Sequence, residues 1–363
     1  MRRPPVAWTT VTPFVALVVL AAAWGREPHG VVVALIGLFL AGAVLAAVHH
    51  AEVVAHRVGE PFGSLVLAVA VTVIEVALIV TLMVSGHSGE TATLARDTVF
   101  AAAMIACNGI VGGALLVAAL RHRVATFNAE GTGTALATVS TLATLSLVLP
   151  TFTTSRPGPE FSPAQLAFAA VASLALYLLF LFVQTVRHRD YFLPVRAGGE
   201  PSDPDAHADP PSDRQTLASV GFLLVALVAV VGLAKIESKP IEHAVDAAGF
   251  PPSAVGVVIA LLVLLPESLA AVRAARRDRV QTSLNLALGS AMASIGLTVP
   301  AIAVASIWLE GPLVLGLGST QTVLLAITVL VGALTVVPGR ATLQQGGVHL
   351  VLFAAFVFLA ANP

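Results

Sequence analysis

Hydrophobic residues form long uninterrupted stretches along nearly the whole chain, separated by short polar segments. A helix needs about 20 predominantly apolar residues to cross the hydrocarbon core of a bilayer. Stretches of this length recur from end to end, so the pattern predicts an all-α polytopic membrane protein with about 11 transmembrane helices. The predicted spans are residues 8–24, 31–50, 62–84, 98–120, 132–152, 164–186, 216–235, 253–272, 281–304, 312–337 and 345–361.

The composition supports a membrane environment. Of the 363 residues, 57% are hydrophobic and only 11% are charged, which leaves too few ionisable side chains to solvate a globular surface. The formal net charge of -1 gives no basic field for a nucleic acid partner. The single cysteine, Cys107, lies in an apolar stretch and is expected to be a small packing residue. Membrane lipid is therefore the expected surrounding, and no nucleic acid is expected to bind.

The positions of lysine and arginine predict the orientation. Most of the 19 Lys and Arg residues fall at the N-terminus or in the alternate loops that share its side of the membrane. Because cytoplasmic loops carry an excess of positive residues, the N-terminus is expected in the cytoplasm. An odd number of spans then puts Pro363 outside. The basic, apolar start resembles a signal peptide, but an uncleaved first helix fits better, because Trp8 and Trp24 bracket it like interface anchors.

One long polar segment, from Arg187 to Arg214, divides the chain. It is rich in proline, aspartate and serine, which is typical of a solvated linker, and this interpretation is favoured over cation sensing. The predicted organisation is an extra N-terminal helix (1–26), a first five-helix repeat (30–187), an acidic cytoplasmic loop (188–214) and a second five-helix repeat (215–363). The acidic residues of the loop are Glu200, Asp203, Asp205, Asp209 and Asp213.

An internal repeat supports these two halves. The segment AEVVAHRVGEP at 51–61 aligns with IEHAVDAAGFP at 241–251, and each leads into an apolar helix with one carboxylate, Glu75 or Glu267. The paired helices are an odd number of spans apart, so they cross the membrane in opposite directions. This is the inverted-topology repeat of secondary transporters. The matched residues are Glu52 with Glu242, Gly59 with Gly249 and Pro61 with Pro251.

Inversion brings Glu75 and Glu267 to similar depths near the midplane. A single ionised carboxylate there costs several kcal/mol, so such residues need a partner or a water-filled cavity. Two protonated acids bonded to neighbouring helices are one interpretation, which the repeat disfavours. Two adjacent carboxylates can instead hold one divalent cation or two protons, and both occupied states are neutral. The pair predicts a metal site for calcium and an antiporter that exchanges the cation for protons.

Calcium takes about six to eight oxygen ligands, so the pair needs further oxygens. Thr72 lies one turn before Glu75, and Pro266 releases the carbonyl of Leu262 from its helical hydrogen bond, although Pro266 is equally explained as a kink. For Ser290 and Ser294, close helix packing is favoured over ion binding. For Asn108 the ion site is favoured, because an amide is costly to leave facing lipid. The candidate ion- and proton-binding residues are Glu75, Glu267, Thr72, Asn108, Leu262, Ser290 and Ser294.

Glu52 and Glu242 lie nearer the ends of their helices. They are candidates for proton access to the central pair, and interfacial solvation explains them equally well. Three histidines cluster close to Glu52. A pH sensor is one interpretation, and ordinary interface histidines are favoured over it. These histidines are His49, His50 and His56.

The segments around both carboxylates, AEVVAHRVGEPFGSLVLAVAVTVIEVALIV and LLVLLPESLAAV followed by NLALGSAMASIGLTVP, resemble the calcium/proton exchanger (CAX) family. The resemblance covers nearly the whole chain and is strongest to the bacterial ChaA-like branch of the CAX family. This family is part of the cation/calcium exchanger superfamily. It implies ion- and proton-binding roles for Glu75 and Glu267. It also places the family's glutamate at the end of the preceding helix on Glu52 and Glu242.

The chain departs from the family's GNxxE pattern, because Thr72 and Leu264 stand where the family has asparagine. The departure resembles the ChaA-like branch, which is associated with sodium and potassium as well as calcium. The resemblance therefore implies export of calcium, and of sodium or potassium, in exchange for protons. It also implies a bacterial inner membrane location.

Three other classes of function make different demands on the sequence. An intramembrane hydrolase would need a nucleophile and base or a metal set inside the spans, where His349 is the one candidate histidine. A channel would use open polar rings. A proton-coupled transporter of an organic substrate stays open, because the carboxylate pair could serve protons alone. The sequence thus predicts a transporter that is not an enzyme, with inorganic cations and protons as its partners and no cofactor.

Overall fold

The computed structural model describes residues 8–26, 28–58, 62–85, 92–195, 211–308 and 311–363. Within these ranges the chain is almost entirely helical, as the apolar pattern predicts. Several residues used in the sequence analysis lie outside the described ranges. They are Gly59 and Pro61 of the repeat motif, and Glu200, Asp203, Asp205 and Asp209 of the acidic segment.

Eleven long helices follow one another along the described chain. Nine of them contain a stretch of described residues that is long and apolar enough to cross a membrane, and the other two, α1 and α3, contain shorter apolar stretches of described residues, Trp8–Ala23 and Val69–Thr81. The polytopic helical fold is confirmed, whereas the number of crossings stays a prediction. The helices are α1 (Trp8–Ala23), α2 (Val31–Val58), α3 (Phe62–Ser85), α4 (Leu94–His122), α5 (Ala129–Phe152), α6 (Pro163–Arg187), α7 (Asp213–Ala247), α8 (Ser253–Arg276), α9 (Val280–Ala305), α10 (Ser319–Val336) and α11 (Leu343–Ala361).

Smaller elements interrupt this pattern. Three helices contain π-helical segments, at Ile105–Ile110 in α4, Thr144–Val148 in α5 and Val183–Arg187 at the end of α6. A 3-10 turn follows at Arg189–Phe192. The chain also forms one short antiparallel pair, in which β1 (Ala125–Thr126) lies beside β2 (Arg340–Ala341). This strand pair was not predicted, because two residues are too few to show an alternating pattern.

Several helices run past the predicted ends. The apolar stretch 31–50 becomes Val31–Val58, and 216–235 becomes Asp213–Ala247. The predicted spans cover the apolar stretches alone, but a polar side chain does not stop a helix that continues beyond the hydrocarbon. Capping residues mark the starts of helices: at the start of α7, the Ser212 hydroxyl accepts a hydrogen bond from the Gln215 N–H, and Oε1 of Gln215 accepts one from the Ser212 N–H.

The helices form two compact units. The first unit contains α1, α2, α3 and α7. Within it, α2 and α7 pack along each other, and α1 and α3 pack against both. Glycines allow α1 to approach closely: a Cβ at Gly42 would lie 3.1 Å from Cγ2 of Thr12, and one at Gly232 would overlap the side chain of Leu20. Small residues of this kind let membrane helices come together.

The second unit contains α4, α5, α6 and α8 to α11. Helices α4 and α9 are the most buried of the candidate spans, and α8 packs against both. A Cβ at Gly256 of α8 would lie 2.9 Å from the backbone of Asp97 and Thr98, so α8 and α4 nearly touch there. The units do not follow chain order, and the boundaries of the two predicted repeats stay a prediction.

Candidate functional site

In the first unit, α3 carries Glu75 and Thr72 on one buried face. The exposed fractions of these side chains are 3% and 4%, and Val73 between them is 46% exposed. Residues three apart are neighbours on a helix surface, so the hydroxyl and the carboxylate belong to one local group. This is the grouping that the sequence predicts. A carboxylate buried in a membrane helix marks a functional site by default.

In the second unit, α8 carries Glu267, which is 5% exposed. Pro266 precedes it and is also buried within an uninterrupted helix. Because proline has no backbone N–H, the carbonyl of Leu262 has no helical donor four residues later. Leu262 is half-buried, and that its carbonyl and the Glu267 carboxylate form a second group of oxygens stays a prediction. The approach of Glu75 to Glu267, which belong to different units, stays a prediction.

Hydroxyl groups line one face of α9. Ser294 is 1% exposed, and Ser290 one turn earlier is half-buried. Thr298, one turn after Ser294, is fully buried, and its hydroxyl has no hydrogen-bond partner among the described residues. The sequence predicts the two serines but not Thr298, although their spacing of four could have suggested it. Thr298 thus adds an oxygen that is not hydrogen-bonded by any group in the described part of the chain.

Asn108 lies in the π-helical segment of α4 and is fully buried. Its Nδ2 donates to Oγ1 of Thr328 at 2.9 Å, and its Oδ1 lies 3.1 Å from Nδ1 of His349. Both ends of the amide are therefore bonded to side chains of other helices. Segments of π-helix are frequent at functional sites, and this one turns a polar side chain into the unit's interior.

The hydrogen bonds assign the protonation of His349, which is 2% exposed in α11. Because Oδ1 of Asn108 can only accept, Nδ1 of His349 carries the proton. In the neutral ring Nε2 then accepts from the hydroxyl of Thr335, 3.2 Å away. The Thr328 hydroxyl donates a hydrogen bond to the carbonyl of Leu324 at 2.7 Å. The result is a fully bonded network with a neutral imidazole, as a membrane interior requires.

Glycines let α11 reach this network. A Cβ at Gly112 of α4 would lie 2.8 Å from Cβ of His349 and 3.0 Å from the backbone nitrogen of Leu350. A Cβ at Gly346 of α11 would lie 2.7 Å from the backbone nitrogen of Leu116. Real Cβ atoms do not approach so closely, so the two backbones can lie in contact only because both residues lack a side chain.

The remaining predicted residues lie in the first unit. Glu52 and Glu242 are half-buried in the last two turns of α2 and α7. His49 and His56 are exposed, and His50 is buried. This separates His50 from the other two histidines of the predicted cluster.

His50 fills a gap in the hydrogen bonding of α1. Pro13 has no N–H, so the carbonyl of Thr9 is left without its helical donor. Nε2 of His50 lies 3.1 Å from that carbonyl and donates to it, and Nδ1 lies 3.4 Å from Oγ of Ser219. His50 thus has a packing role within the first unit, which favours the ordinary explanation over a pH sensor for this residue.

A further buried acid, Glu237 of α7, was not predicted. It is 3% exposed, and its Oε1 has no hydrogen-bond partner among the described residues. Helix α2 makes room for it, because a Cβ at Gly37 would lie 3.9 Å from Oε2. The predicted seventh span ends at residue 235, whereas α7 continues to Ala247. Extending the helix to its true end would have found this acid.

Comparison with known proteins identifies the family of this chain. The sodium/calcium exchanger protein family matches residues 29–186 and 218–362. The sodium-potassium/proton antiporter ChaA of Escherichia coli is 34% identical over 350 residues, which cover 96% of this chain and 94% of ChaA. The protein y4hA of Sinorhizobium fredii, named as a candidate ionic transporter, is 46% identical over 360 residues, which cover 98% of this chain and 96% of y4hA.

Solved structures share the fold. The structure of native YfkE superimposes with a TM-score of 0.70 at 15% sequence identity, covering 98% of this chain and 99% of YfkE. The crystal structure of the H+/Ca2+ exchanger CAX gives a TM-score of 0.69 at 14% identity, covering 97% of this chain and 91% of CAX. Because the family match spans most of the chain and ChaA is similar over nearly all of it, the chain belongs to the sodium/calcium exchanger protein family.

Proposed function

We propose that the chain is a secondary active antiporter that exports calcium in exchange for protons by alternating access, and that sodium and potassium use the same site. One observation carries the proposal: in a chain of this family, each compact unit buries a glutamate in an apolar helix, Glu75 in one and Glu267 in the other. The names of the relatives support it, since ChaA is a sodium-potassium/proton antiporter and CAX an H+/Ca2+ exchanger.

The proposed cation site combines the two glutamates with uncharged oxygens. Thr72, the Leu262 carbonyl and the hydroxyls of Ser290 and Ser294 would complete the ligands, and Thr298 extends the hydroxyl face of α9 by one turn. One divalent cation or two protons would neutralise the pair, so these ions compete for it. The empty dianion is too costly to occlude in lipid. This excludes an unloaded return and couples the two fluxes.

Asn108 takes a different part in this scheme. Both ends of its amide are already bonded, to Thr328 and His349, so it would hold the π-helical segment of α4 in place rather than bind the ion directly. Glu52 and Glu242 would serve proton access from the ends of α2 and α7.

The proposal also covers cofactor use, membrane location and orientation of the protein. The protein would move ions without chemical conversion and without a resident cofactor. It would lie in the bacterial inner membrane with the N-terminus in the cytoplasm and Pro363 outside. The organic-substrate alternative is not retained, because the relatives with a stated activity are named for cation/proton exchange.

Flux measurements test the function directly. In proteoliposomes with an imposed pH gradient, calcium, sodium and potassium should each move in the direction opposite to the proton flow. The cation flux should stop when a protonophore collapses the pH gradient. Raising the proton concentration on one face should weaken apparent cation affinity on that face, because protons and cations compete for the same carboxylates. Cation affinity that stays constant across the working pH range would place the two ions at separate sites and contradict the proposal.

Glu237 provides a separate expectation. We propose that it takes part in proton transfer, because Oε1 has no hydrogen-bond partner in the described part of the chain and a carboxylate buried in this way is costly when ionised, which favours uptake of a proton. Glu237→Gln should reduce proton-driven exchange about tenfold while leaving equilibrium cation binding intact, since Glu237 belongs to neither group of cation oxygens. Asp246→Asn, on the exposed end of the same helix, is the control and should leave flux unchanged. Loss of cation binding in Glu237→Gln would instead make Glu237 a ligand.

A further inference from the structure

A cavity of about 880 Å³ opens in the first unit, where α1 ends. It is bounded by the connection from α1 to α2 and by the last third of α7. Gly25 and Gly30, with φ of 73° and 58°, turn the connection through a backbone conformation that glycine adopts without strain. The described residues of this connection line the cavity together with those of α7.

Positive charge converges on this cavity. Its described lining includes Arg26, Lys235 and Lys239, together with His29 and His243, and no acidic side chain. The α7 residues are spaced by four, so they form one face of the helix. The sequence also places Glu27 in the connection, and three cations with one anion leave an excess of positive charge.

The surroundings locate the cavity at the boundary between lipid and water. Trp24 lines it and is 59% exposed, and tryptophan is enriched at that boundary. The Nζ of Lys235 lies 5.5 Å from the centre of the Trp24 ring, a cation–π contact that orients the ammonium group. The first turns of α2, which supply Val33 to the lining, expose Val31 and Leu35 at 77% and 49%. An apolar surface thus adjoins a cationic cavity.

We propose that this cavity binds the phosphate-bearing headgroup of an anionic membrane lipid, with the acyl chains lying along the exposed start of α2. Arginine offers paired donors to a phosphate, and lysine adds positive charge. Basic pockets between membrane helices hold anionic headgroups in the same way. A free phosphate shares the headgroup chemistry, but it makes no use of the apolar surface beside the cavity. The cavity is also unsuited to the transported cations, because its charge has the wrong sign.

Trp24 gives a local readout. The chain has three tryptophans, so Trp8→Phe and Trp308→Phe leave Trp24 as the only one. This protein is reconstituted in phosphatidylcholine with increasing amounts of acyl-brominated phosphatidylglycerol, and separately with acyl-brominated phosphatidylcholine. Bromine quenches tryptophan on contact. The anionic lipid should reach half-maximal quenching at a mole fraction at least about threefold lower than the zwitterionic lipid, because the cavity selects it.

Neutralising the cavity should remove this preference. Arg26→Gln with Lys239→Gln keeps the Lys235–Trp24 contact, and the two quenching curves should then coincide. Arg273→Gln with Arg276→Gln removes the same charge from exposed positions of the second unit and should leave the preference intact, which controls for general attraction to a cationic protein. If the double cavity variant fails to fold, Lys239→Gln alone should at least halve the preference.

Two results would overturn the assignment. Equal quenching by both lipids in the parent protein, or a preference that survives Arg26→Gln with Lys239→Gln, would show that the cavity does not select the headgroup. The remaining arm separates the two sources of phosphate. Inorganic phosphate at 50-fold molar excess over lipid, with ionic strength matched by chloride, should not relieve the quenching. If it does, the occupant is a free phosphate and the lipid proposal fails.

Discussion

Glu267→Gln is expected to abolish calcium/proton exchange in a protein that still inserts and folds. Glutamine keeps the volume and hydrogen-bonding reach of the side chain but can neither carry charge nor cycle a proton. A divalent ion held by one remaining carboxylate leaves net positive charge in the membrane, which costs several kcal/mol. Because about 1.4 kcal/mol corresponds to a factor of ten, calcium flux should fall about 100-fold or more. Uptake of radioactive calcium into proteoliposomes under a pH gradient measures this.

Glu75→Gln should have the same effect, since the proposal gives the two glutamates equivalent parts. Glu130→Gln is the matched control: it makes the same chemical change at an exposed position in the first turn of α5, and flux should be normal. Near-normal calcium flux in Glu75→Gln or Glu267→Gln would contradict the proposed site. Residual sodium or potassium exchange would agree with it, because one carboxylate neutralises a monovalent ion.

Glu52→Gln and Glu242→Gln should affect transport differently from the two central variants. Both residues are half-buried near helix ends, so their loss should slow turnover without preventing cation binding. Binding can be measured at equilibrium by calorimetry on purified protein. If these variants lose binding and the central variants keep it, the assignment of the two pairs is reversed.

Gly112→Ala is expected to destabilise the second unit strongly, although it adds a single methyl group. The new Cβ would lie 2.8 Å from Cβ of His349 and 3.0 Å from the backbone of Leu350, so α4 and α11 would have to separate. Overpacking of this kind costs about 1–3 kcal/mol. Separation would also stretch the bond between His349 and Asn108. The melting temperature in detergent, followed by size-exclusion chromatography after heating, should fall by several degrees.

The next residue provides the control. A Cβ at Gly113 meets nothing within 4 Å, so Gly113→Ala adds the same methyl group to the same helix without a clash. It should be neutral or slightly stabilising, because alanine loses less backbone entropy than glycine in a helix. Equal melting temperatures for the two variants would mean that α4 and α11 are not held in contact.

The sequence predicts the helical fold and its buried acids because lipid imposes a simple rule. A spanning helix must be long and apolar, and a carboxylate within it is visible as an exception. Glu75, Glu267 and their neighbour Thr72 were found this way, and each is buried in the structure. The rule fails at helix ends, where polar residues continue the helix beyond the hydrocarbon. Glu237 was missed for that reason.

Contacts between distant segments could not be predicted. Asn108 was identified as a polar residue in an apolar stretch, but its partners Thr328 and His349 lie more than 200 residues away in the chain. No spacing rule connects them. The π-helical segment that contains Asn108 is equally hidden, because one additional residue in a turn leaves no distinct hydrophobic period. The sequence therefore indicates which polar residues need partners, and only the structure identifies those partners.

Helix α1 lies outside the predicted five-helix repeats, yet its contacts make it more than an accessory. Its Thr9 carbonyl is bonded to His50, and Gly42 and Gly232 receive the side chains of Thr12 and Leu20. Removing α1 would open two glycine grooves to lipid and take from His50 the acceptor of its proton, in a medium that offers no replacement. Any transport step that tilts α2 or α7 must consequently move α1 with it. The moving group of helices is then larger, and more of its surface faces lipid.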